Sequence, residues 1–406
     1  MTAILTVSEL FWPEGGGAEY ATYLILQLLA KRNYEITVLT STKHPAKIPG
    51  VRYHITPLLK PANRITRWTL IKTLAKTLHF KQLLKQHDIL YIPQAAYPLI
   101  PDAKKAGLRV IVHLHNYMPI RYHGIKYYFE PDVEPLYDEL KLAIMHEYYI
   151  QKSFTRTLLA PLSYTLYFYG KSWITQADTI ICVSKRQMEL IITSMPQIRD
   201  KIQVVYNPLP PHMVIIEPQK QLSDMPTFLY VGGDSYIKGF FHVLYIVKYL
   251  AKQNVKARFI LTNNYSPKAL QLLRTITQNS GSIEVEVRGR ITYQELINSL
   301  LETWALLFPS IWEEPLPYAV VEASLTATVP IATSVGGVPE ILKETPAERF
   351  LFAPGDLEQF AERVEHLLIH TPREILRIGV EIRNKLEHIF NTETIESKIV
   401  GSFKNT

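Results

Sequence analysis

Three successive pieces of the sequence predict a β-α-β unit: Ala305-Leu-Leu-Phe-Pro-Ser310, Glu314-Pro-Leu-Pro-Tyr-Ala-Val-Val-Glu322 and Thr333-Ser-Val-Gly-Gly-Val-Pro-Glu340. The first piece is typical of a buried strand that ends in a turn, and the third of a short strand that ends in a glycine turn. Proline suits the first position of a helix because its missing N–H would be unpaired there. The pattern therefore predicts a helix that begins at Pro317, with one glutamate just before it and the other inside it.

The chemistry of this unit favours a ligand that carries both phosphate and hydroxyl groups. The unpaired N–H groups of Tyr318 and Ala319, at the start of the helix, attract an anion such as a phosphate. A second carboxylate is unfavourable at a bound anion, so we expect Glu314 to face neutral sugar hydroxyls. The segment thus predicts a nucleotide-sugar site. The spacing of Glu314 and Glu322 alone leaves open that both are ordinary loop or surface acids.

The composition is that of an ordinary globular protein. The chain has 406 residues, of which 47% are hydrophobic and 20% charged, enough for two domains. Its one cysteine, Cys182, lies in an apolar stretch and is expected in a buried strand, which excludes a disulfide framework and a cysteine-rich metal site. No apolar run is long enough to span a membrane, and the N-terminus lacks the basic start of a secretory signal. We therefore expect a cytoplasmic protein that uses no metal ion.

The positive charge is concentrated in the first half of the chain. The net charge is +7, and residues 1–200 hold 24 Lys and Arg against 15 Asp and Glu. Between Ile36 and His87 there are ten Lys or Arg and no acid. Such a block predicts an anionic surface as partner. The sequence has no nucleic-acid-binding motif, so we expect no nucleic acid and favour a membrane surface, with the protein peripheral to it.

Residues 64–85 are the candidate for that contact. They are predicted to form one basic amphipathic helix, with apolar side chains on one face and lysines on another. Two interpretations remain open. The helix either packs on the sheet as a crossover with a solvated basic face, or presents that face to anionic lipid, near Tyr127, Tyr128 and Phe129.

Strands and helical patterns alternate along both halves of the chain, which predicts an α/β protein with two Rossmann-like domains. The aromatic stretch from Tyr117 to Ser172 interrupts the first half as an extended helical region. Proline-rich residues 207–226 mark the boundary, so we predict domains over residues 1–206 and 207–386. Ligands of such sheets bind beyond the carboxyl ends of the strands. Two facing domains are therefore expected to hold the site in the cleft between them.

Further candidate residues lie where predicted strands end. Gly15-Gly16-Gly17 would let the backbone approach a phosphate or a sugar, although a plain tight turn fits equally well. His113 and His115 share one face, and His115, where the strand ends, is the better site candidate. Lys238 precedes a helix and suits a diphosphate. The loop Val287-Arg-Gly-Arg-Ile291, which contains Arg290, could cover a nucleobase.

Together these patches resemble the retaining glycosyltransferases of family 4, which have the GT-B fold. The resemblance covers nearly the whole chain, and its most specific part is the glutamate pair with its flanks. The other motifs are Trp12-Pro-Glu-Gly-Gly-Gly-Ala-Glu19, Leu114-His-Asn-Tyr117, Ala177-Asp-Thr-Ile-Ile-Cys-Val-Ser184, Tyr206-Asn-Pro208, Lys238-Gly239, Gly336-Gly-Val-Pro-Glu340 and Phe352-Ala-Pro-Gly-Asp356.

The resemblance implies a role for each candidate residue. Glu314 would bind hydroxyls of the donor sugar, Glu322 the ribose of the nucleotide, and Lys238 the diphosphate. His115 would contact the sugar, and Gly16 and Gly17 would approach the donor or the acceptor. The last helix, after about residue 387, would return to the first domain. The nucleotide sugar is then a substrate, and no cofactor is expected.

Three positions depart from the family pattern. The family usually has arginine where this chain has Gly233, unless Arg288 or Arg290 substitutes for it. It commonly has glycine where Pro317 stands, and a glycine pair where Thr262-Asn263 stands. We predict a retaining glycosyltransferase acting on a glycan or a lipid-linked glycan. The alternatives are a nucleotide-sugar epimerase on the same fold and a catalytically weak subunit that binds sugar or lipid, which the change at Gly233 favours.

Overall fold

The computed structural model of the protein describes residues 2–133, 136–210, 220–278 and 280–404. The chain divides into two compact units. Unit 1 comprises Met1–Pro208 and Glu393–Thr406, and unit 2 comprises Leu209–Thr392. Residues 211–219 of the predicted proline-rich boundary segment lie outside the described residues.

Unit 1 is built on a sheet of seven parallel strands in the order β3-β2-β1-β4-β5-β6-β7. Its strands are β1 (Ala3–Val7), β2 (Glu35–Thr40), β3 (Arg52–Ile55), β4 (Ile89–Ile92), β5 (Arg109–Leu114), β6 (Thr179–Cys182) and β7 (Ile202–Val204). Its helices begin with α1 (Gly17–Lys31), α2 (Arg64–Lys76), α3 (Leu78–Lys85), α4 (Ile100–Lys105), α5 (Leu136–Met145), α6 (Phe154–Ile174) and α7 (Lys185–Ser194), with a π-helical turn over His146–Ile150.

Unit 2 contains a second sheet of six parallel strands in the order β10-β9-β8-β11-β12-β13. The strands are β8 (Thr227–Tyr230), β9 (Ala257–Thr262), β10 (Ile283–Gly289), β11 (Ala305–Phe308), β12 (Val329–Thr333) and β13 (Leu351–Phe352). The helices are α8 (Phe240–Lys252), α9 (Pro267–Thr277), α10 (Tyr293–Leu301), α11 (Tyr318–Leu325), α12 (Val338–Leu342), α13 (Leu357–Leu368) and α14 (Pro372–Ile389).

The central strands of both sheets are short apolar runs that are buried along their whole length, including β1, β4, β6, β8 and β11. Parallel sheets require this because helices cover both of their faces. The predicted α/β class with two Rossmann-like domains is confirmed, and Cys182 lies in a buried strand as expected. The order of strands brings the loops after β8, β11 and β12 to one edge of the second sheet.

The single helix predicted over residues 64–85 is wrong, because the helix breaks at Thr77. Thr77 has an extended ψ of 143° and its hydroxyl accepts a hydrogen bond from the Phe80 amide, so it ends α2 and caps α3. The apolar side of α2, with Ile71 and Leu74, is buried in unit 1. The apolar face of α2 therefore packs as in a crossover helix, and the basic faces together with the exposed Leu78 remain for a membrane.

The chain ends with α15 (Thr392–Phe403), which follows α14 after a short break and belongs almost entirely to unit 1. The ring of Phe403 packs edge-on against that of Tyr91 on β4, with centroids 5.1 Å apart. The Arg109 guanidinium donates to the Ser402 carbonyl at 3.1 Å. No helix among the described residues is both long and apolar enough to cross a membrane.

Candidate functional site

The loop that carries Lys238 packs directly on the loop that follows β11. Gly239 has φ of +79°, and a Cβ there would lie 1.9 Å from the carbonyl oxygen of Pro309, so the close approach requires glycine. The Ile311 amide and the Ser310 hydroxyl both donate to the Ile237 carbonyl, at 3.0 and 3.1 Å. These contacts hold Lys238 against the segment that carries the first glutamate.

Glu314 and Lys238 are in direct contact. The Lys238 ammonium donates to Glu314 Oε1 at 2.5 Å, and Trp312 Nε1 and Ser310 Oγ donate to the same oxygen at 2.6 and 3.1 Å. The carboxylate is buried, whereas the lysine side chain is about a third exposed and its ammonium lies 5.4 Å from the centre of the Trp312 ring. Every hydrogen bond described for this carboxylate goes to Oε1, which leaves Oε2 for a ligand hydroxyl.

The glycine turn after β12 fixes the backbone of the glutamate. The Gly337 amide donates to the Glu314 carbonyl at 2.8 Å, and the Gly336 amide donates to Glu313 Oε2 at 2.5 Å. Gly336 has φ of +51°, and a Cβ there would lie 1.9 Å from the Glu314 carbonyl oxygen. The loops after β8 and β12 therefore both pack on the loop that carries Glu314.

For the glycosyltransferase that the resemblance implies, we expect Gly336→Ala to lower sugar transfer roughly tenfold or more, because displacing Glu314 by a fraction of an ångström misplaces its carboxylate. The strained backbone should also lower the free energy of unfolding by about 1–2 kcal/mol. Transfer rate and melting temperature are measured together. The matched control is Gly281→Ala, since a Cβ at Gly281 meets no atom within 4 Å. Equal activity in the two variants would contradict this account of the turn.

The helix after the first glutamate, α11, begins at Tyr318, one residue later than predicted. Pro317 has φ of −78° and an extended ψ of 115°, so it is the residue that precedes the helix and not its first residue. Its carbonyl accepts from the Val320 amide at 3.2 Å. The amides of Tyr318 and Ala319 lie ahead of that bond, in the first turn, where predicted.

Glu322 lies inside α11 and is buried. Loss of solvent raises its pKa from 4.5 to about 7, and a hydrogen bond with Tyr293 opposes that rise. A carboxyl group whose pKa is near neutrality becomes a better hydrogen-bond acceptor once it ionises. Binding of a ribose, whose hydroxyls donate, would therefore favour the ionised form.

The raised pKa of Glu322 predicts a pH-dependent stability. The folded protein holds this proton more tightly than the unfolded chain, so the contribution is fully present below pH 4.5 and is lost as the pH rises through about 7. Between about pH 5 and about pH 9 we expect a loss of about 3 kcal/mol from this group. Chemical denaturation of Glu322→Gln, which cannot ionise, should lack this part of the pH dependence. Parallel curves for the variant and the parent protein would contradict the assignment.

The backbone of the loop at Gly233 requires glycine where the family usually has arginine. Gly233 has φ of +61°, and a Cβ there would lie 2.7 Å from the carbonyl oxygen of Asn264. An arginine at this position would therefore strain the backbone and displace its neighbour. This loop conformation leaves no room for the family's arginine.

Of the two proposed substitutes for that arginine, one is engaged elsewhere. Arg288 forms ion pairs with Glu286 and Glu302, each at 2.7 Å, and donates to Ser299. Arg290 is exposed and has no ion pair among the described residues. Arg290 is thus the better candidate for a second cation.

In unit 1, α1 begins at Gly17 with Gly16 as its capping residue. The Gly16 amide donates to Glu19 Oε2 at 2.7 Å, and the other oxygen of Glu19 accepts from Gln94. A side chain at Gly15 would collide with that glutamate. The predicted glycine loop is thus a tight, internally bonded helix start.

His115 follows β5 and is partly buried. Burial lowers its pKa to about 4, so its imidazole is neutral at physiological pH. Its ring lies 4.3 Å from that of His113, whose Nδ1 is 2.8 Å from the Tyr91 hydroxyl. His115 Nε2 is buried and has no hydrogen-bond partner among the described residues, which suits a ligand contact.

The structure thus brings Lys238 and Glu314 into contact and puts Glu322, Tyr318 and Ala319 on one adjoining helix. His115, Gly16 and Gly17 belong to unit 1. The sequence analysis assigns no role to Ser310 and Trp312, which donate to the carboxylate, or to Glu313 and Gly336, which bond to each other beside it. Ser310, Trp312 and Glu313 lie within four residues of Glu314, and Gly336 lies in the predicted glycine turn. Nowhere in the described ranges are three His, Cys, Asp or Glu side chains arranged to hold a metal ion.

Two family models match consecutive parts of the chain. The model described as Glycosyltransferase Family 4 matches residues 15–212, and that described as Glycosyl transferases group 1 matches residues 215–378. Together they span most of the sequence and both described sheets. The chain belongs to family 4 of the glycosyltransferases, and its two units have the GT-B fold.

The similar curated proteins share one kind of description. The phosphatidylinositol N-acetylglucosaminyltransferase gpi3 subunit of Schizosaccharomyces pombe is 24% identical over 56% of this chain and 46% of its own length. A relative from Arabidopsis thaliana, which is named as a subunit of the same kind of enzyme, is 22% identical over 97% of this chain and 80% of its own length. The chain therefore spans about half the length of the first relative.

Solved structures confirm the fold. Anabaena HepE, in complex with UDP and glucose, has a TM-score of 0.66 at 14% identity and covers 99% of both chains. Sucrose-phosphate synthase from Thermosynechococcus elongatus has a TM-score of 0.71 at 14% identity, covering 99% of this chain and 98% of its own. At such identities the likeness concerns the fold alone.

Proposed function

We propose that this chain transfers a sugar from a nucleoside-diphosphate sugar to an acceptor, with retention of the anomeric configuration. The observation that carries the proposal is the contact of Lys238 with Glu314 just ahead of the first turn of α11. These three features lie at one sheet edge and suit such a donor. The cation suits the diphosphate, the buried carboxylate suits the sugar hydroxyls, and the start of the helix suits the phosphate oxygens.

Lys238 is proposed to stabilise the leaving diphosphate. When the bond between the anomeric carbon and the phosphate oxygen breaks, the electron pair leaves with the diphosphate and negative charge accumulates there. The ammonium, being partly exposed, can reach a ligand, and the amides of Tyr318 and Ala319 add fixed dipoles. Glu314 would hold the sugar through Oε2, and Glu322 the ribose. Gly16, Gly17 and His115 are proposed as further ligand contacts.

Retention is proposed to proceed on one face of the sugar without a covalent intermediate. The Glu314 carboxylate is held by three donors on one oxygen, which makes it a poor nucleophile. The acceptor oxygen would form its bond to the anomeric carbon on the side the diphosphate leaves. Its proton would pass to the departing phosphate oxygen, so that no metal ion and no further base are needed.

The acceptor is proposed to be a lipid or a lipid-linked glycan. The curated relatives are named for the transfer of N-acetylglucosamine to phosphatidylinositol, which is a membrane lipid. The exposed lysines of α2 and α3, Lys76, Lys81 and Lys85, give unit 1 a cationic surface suited to anionic headgroups. The relatives are also named as subunits, so further protein partners are part of the proposal.

The experiment combines donor screening with product analysis. Nucleotide sugars are first tested for thermal stabilisation, and the binding donor is then incubated with phosphatidylinositol vesicles, with a soluble glycan, or with no acceptor. We expect glycosylated acceptor and free nucleoside diphosphate, with the anomeric proton coupling of the donor sugar preserved in the product. An inverted product would overturn retention.

Two alternatives have distinct outcomes in the same experiment. An epimerised sugar nucleotide formed without acceptor would identify an epimerase. Stabilisation by the donor without turnover on any acceptor would identify a binding subunit, which the glycine loop at Gly233 favours because it lacks one cation of the family pattern.

A further inference from the structure

The exposed apolar side chains of the protein are concentrated in one segment of unit 1. Of the twenty large hydrophobic residues that are exposed among those described, twelve lie between residues 128 and 169. They are Tyr128, Phe129, Val133, Met145, Tyr148, Tyr149, Phe154, Leu158, Leu159, Leu162, Phe168 and Tyr169. Monomeric soluble proteins rarely expose so many together without a partner.

The helix α6 is apolar on both faces. Its inner face carries Tyr164 and Tyr167, which form a buried cluster with Tyr122 and with Ala143 of α5. Its outer face shows Phe154, Leu158, Leu162 and Tyr169 at helical spacing, with Leu158 66% and Leu162 55% exposed. The inner face packs in the core of unit 1. Packing within unit 1 therefore does not explain why the outer face is also apolar.

Along α6 and the π-helical turn before it, cationic side chains outnumber acidic ones, whereas the preceding part of the segment also carries the exposed Asp138 and the partly buried Asp132. From Lys141 to Ala177 the sequence has a single acid, Glu147, which is buried and paired with Arg156 at 2.7 Å. Lys141 and Lys152 are exposed on either side of the π-helical turn. Neither lysine has an ion pair among the described residues, and a surface that combines apolar side chains with such lysines complements anionic lipid.

We propose that the outer face of α6, together with Tyr148 and Tyr149, docks on an anionic lipid surface. Tyrosine favours the headgroup region because its ring is apolar and its hydroxyl is polar, and phenylalanine and leucine bury at the boundary with the acyl chains. The helix lies in the plane of the surface and inserts only its outer side chains. This surface differs from that of α2 and α3, on which most apolar side chains are buried. It also stands independently of the proposed transfer reaction, since docking requires no donor.

The test measures binding to vesicles made of equal parts phosphatidylcholine and phosphatidylserine, and to vesicles of phosphatidylcholine alone. We expect tight binding to the anionic vesicles and weak binding to the neutral ones. The double variant Leu158→Ser/Leu162→Ser should bind anionic vesicles roughly tenfold more weakly or worse. The matched control Phe241→Ser/Ile369→Ser changes two exposed apolar residues of unit 2 and should bind normally.

Further measurements distinguish an anionic lipid surface from other partners of the outer face of α6. Lys141→Glu/Lys152→Glu should lower binding to anionic vesicles while leaving the melting temperature unchanged. Unchanged vesicle binding in the leucine variant overturns the proposal, and so does equal binding to both kinds of vesicle. A concentration-dependent dimer that the leucine substitutions abolish, without vesicle binding, would assign the face to a second copy of the chain and also overturn it. Transfer to a water-soluble acceptor should be normal in the leucine variant, so a failed transferase and a failed docking surface give different results.

Discussion

Replacing Lys238 by alanine is expected to lower the rate of sugar transfer about a hundredfold or more. The ammonium contacts the carboxylate that precedes α11, and the negative charge of the diphosphate that it would stabilise increases as the diphosphate leaves. Losing one such preorganised donor raises the barrier by about 3–4 kcal/mol. The effect should fall on kcat more than on donor affinity, because the stabilisation grows in the transition state.

The measurement is steady-state transfer at several donor concentrations, with the melting temperature recorded in parallel. The matched control is Lys252→Ala, an exposed lysine in the last turn of α8, the helix that Lys238 precedes. We expect the control to transfer at the parental rate. A Lys238→Ala protein that folds and transfers at a near-normal rate would reject the assigned role.

Replacing Glu314 by alanine is the second large effect, again about a hundredfold or more in transfer rate. Its loss removes the proposed acceptor for the sugar hydroxyls and also leaves the donors Ser310 and Trp312 without their shared oxygen. Some loss of stability is therefore expected, of about 1–3 kcal/mol. Glu314→Gln keeps the shape and an acceptor oxygen, so it should restore stability more than it restores transfer.

Three measurements separate these effects for Glu314: the melting temperature, donor binding and the transfer rate of each variant. The exposed Glu358, which lies in the first turn of α13, provides the control as Glu358→Ala. If Glu314→Gln transfers sugar as fast as the parent protein, the carboxylate has no part in the reaction and its role is structural.

The architecture was predictable because buried parallel strands are recorded directly in the sequence. Runs such as Ile89–Ile92 and Ala305–Phe308 are almost wholly apolar, and only a sheet covered on both faces requires that. The edge strand β3, Arg52–Ile55, has no such apolar run, because its side chains lie at the border of the sheet and are not buried. The apolar runs therefore identify the central strands more directly than this edge strand.

The helical insertion shows where pattern reasoning stops. The residues from Tyr117 to Ser172 were expected to be helical, and α5 and α6 lie there. Because both faces of α6 are apolar, periodicity cannot tell which face is buried. The packing of α6 against α5 decides which face of α6 is buried.

The candidate site was predictable residue by residue but not as a constellation. Lys238 and Glu314 were each chosen from a local motif, yet they lie 76 positions apart, and their hydrogen bond depends on how two loops pack. The packing requires Gly239 and Gly336, whose close backbone approaches cannot be seen in a single sequence. The φ of a proline suits both the first helical position and the residue before it. Only ψ distinguishes the two positions, and the extended ψ of Pro317 places it before the helix.

The return of α15 to unit 1 has a consequence for how the protein is made. Strands β4 and β5 receive the contacts of Phe403 and Ser402 from a helix that follows the whole of unit 2 in the chain. On the ribosome, where domains tend to fold in the order in which they emerge, the first unit therefore emerges without this helix. Its sheet stays uncovered at Tyr91 and Arg109 until the second unit has been synthesised, so the unit that emerges first is completed last.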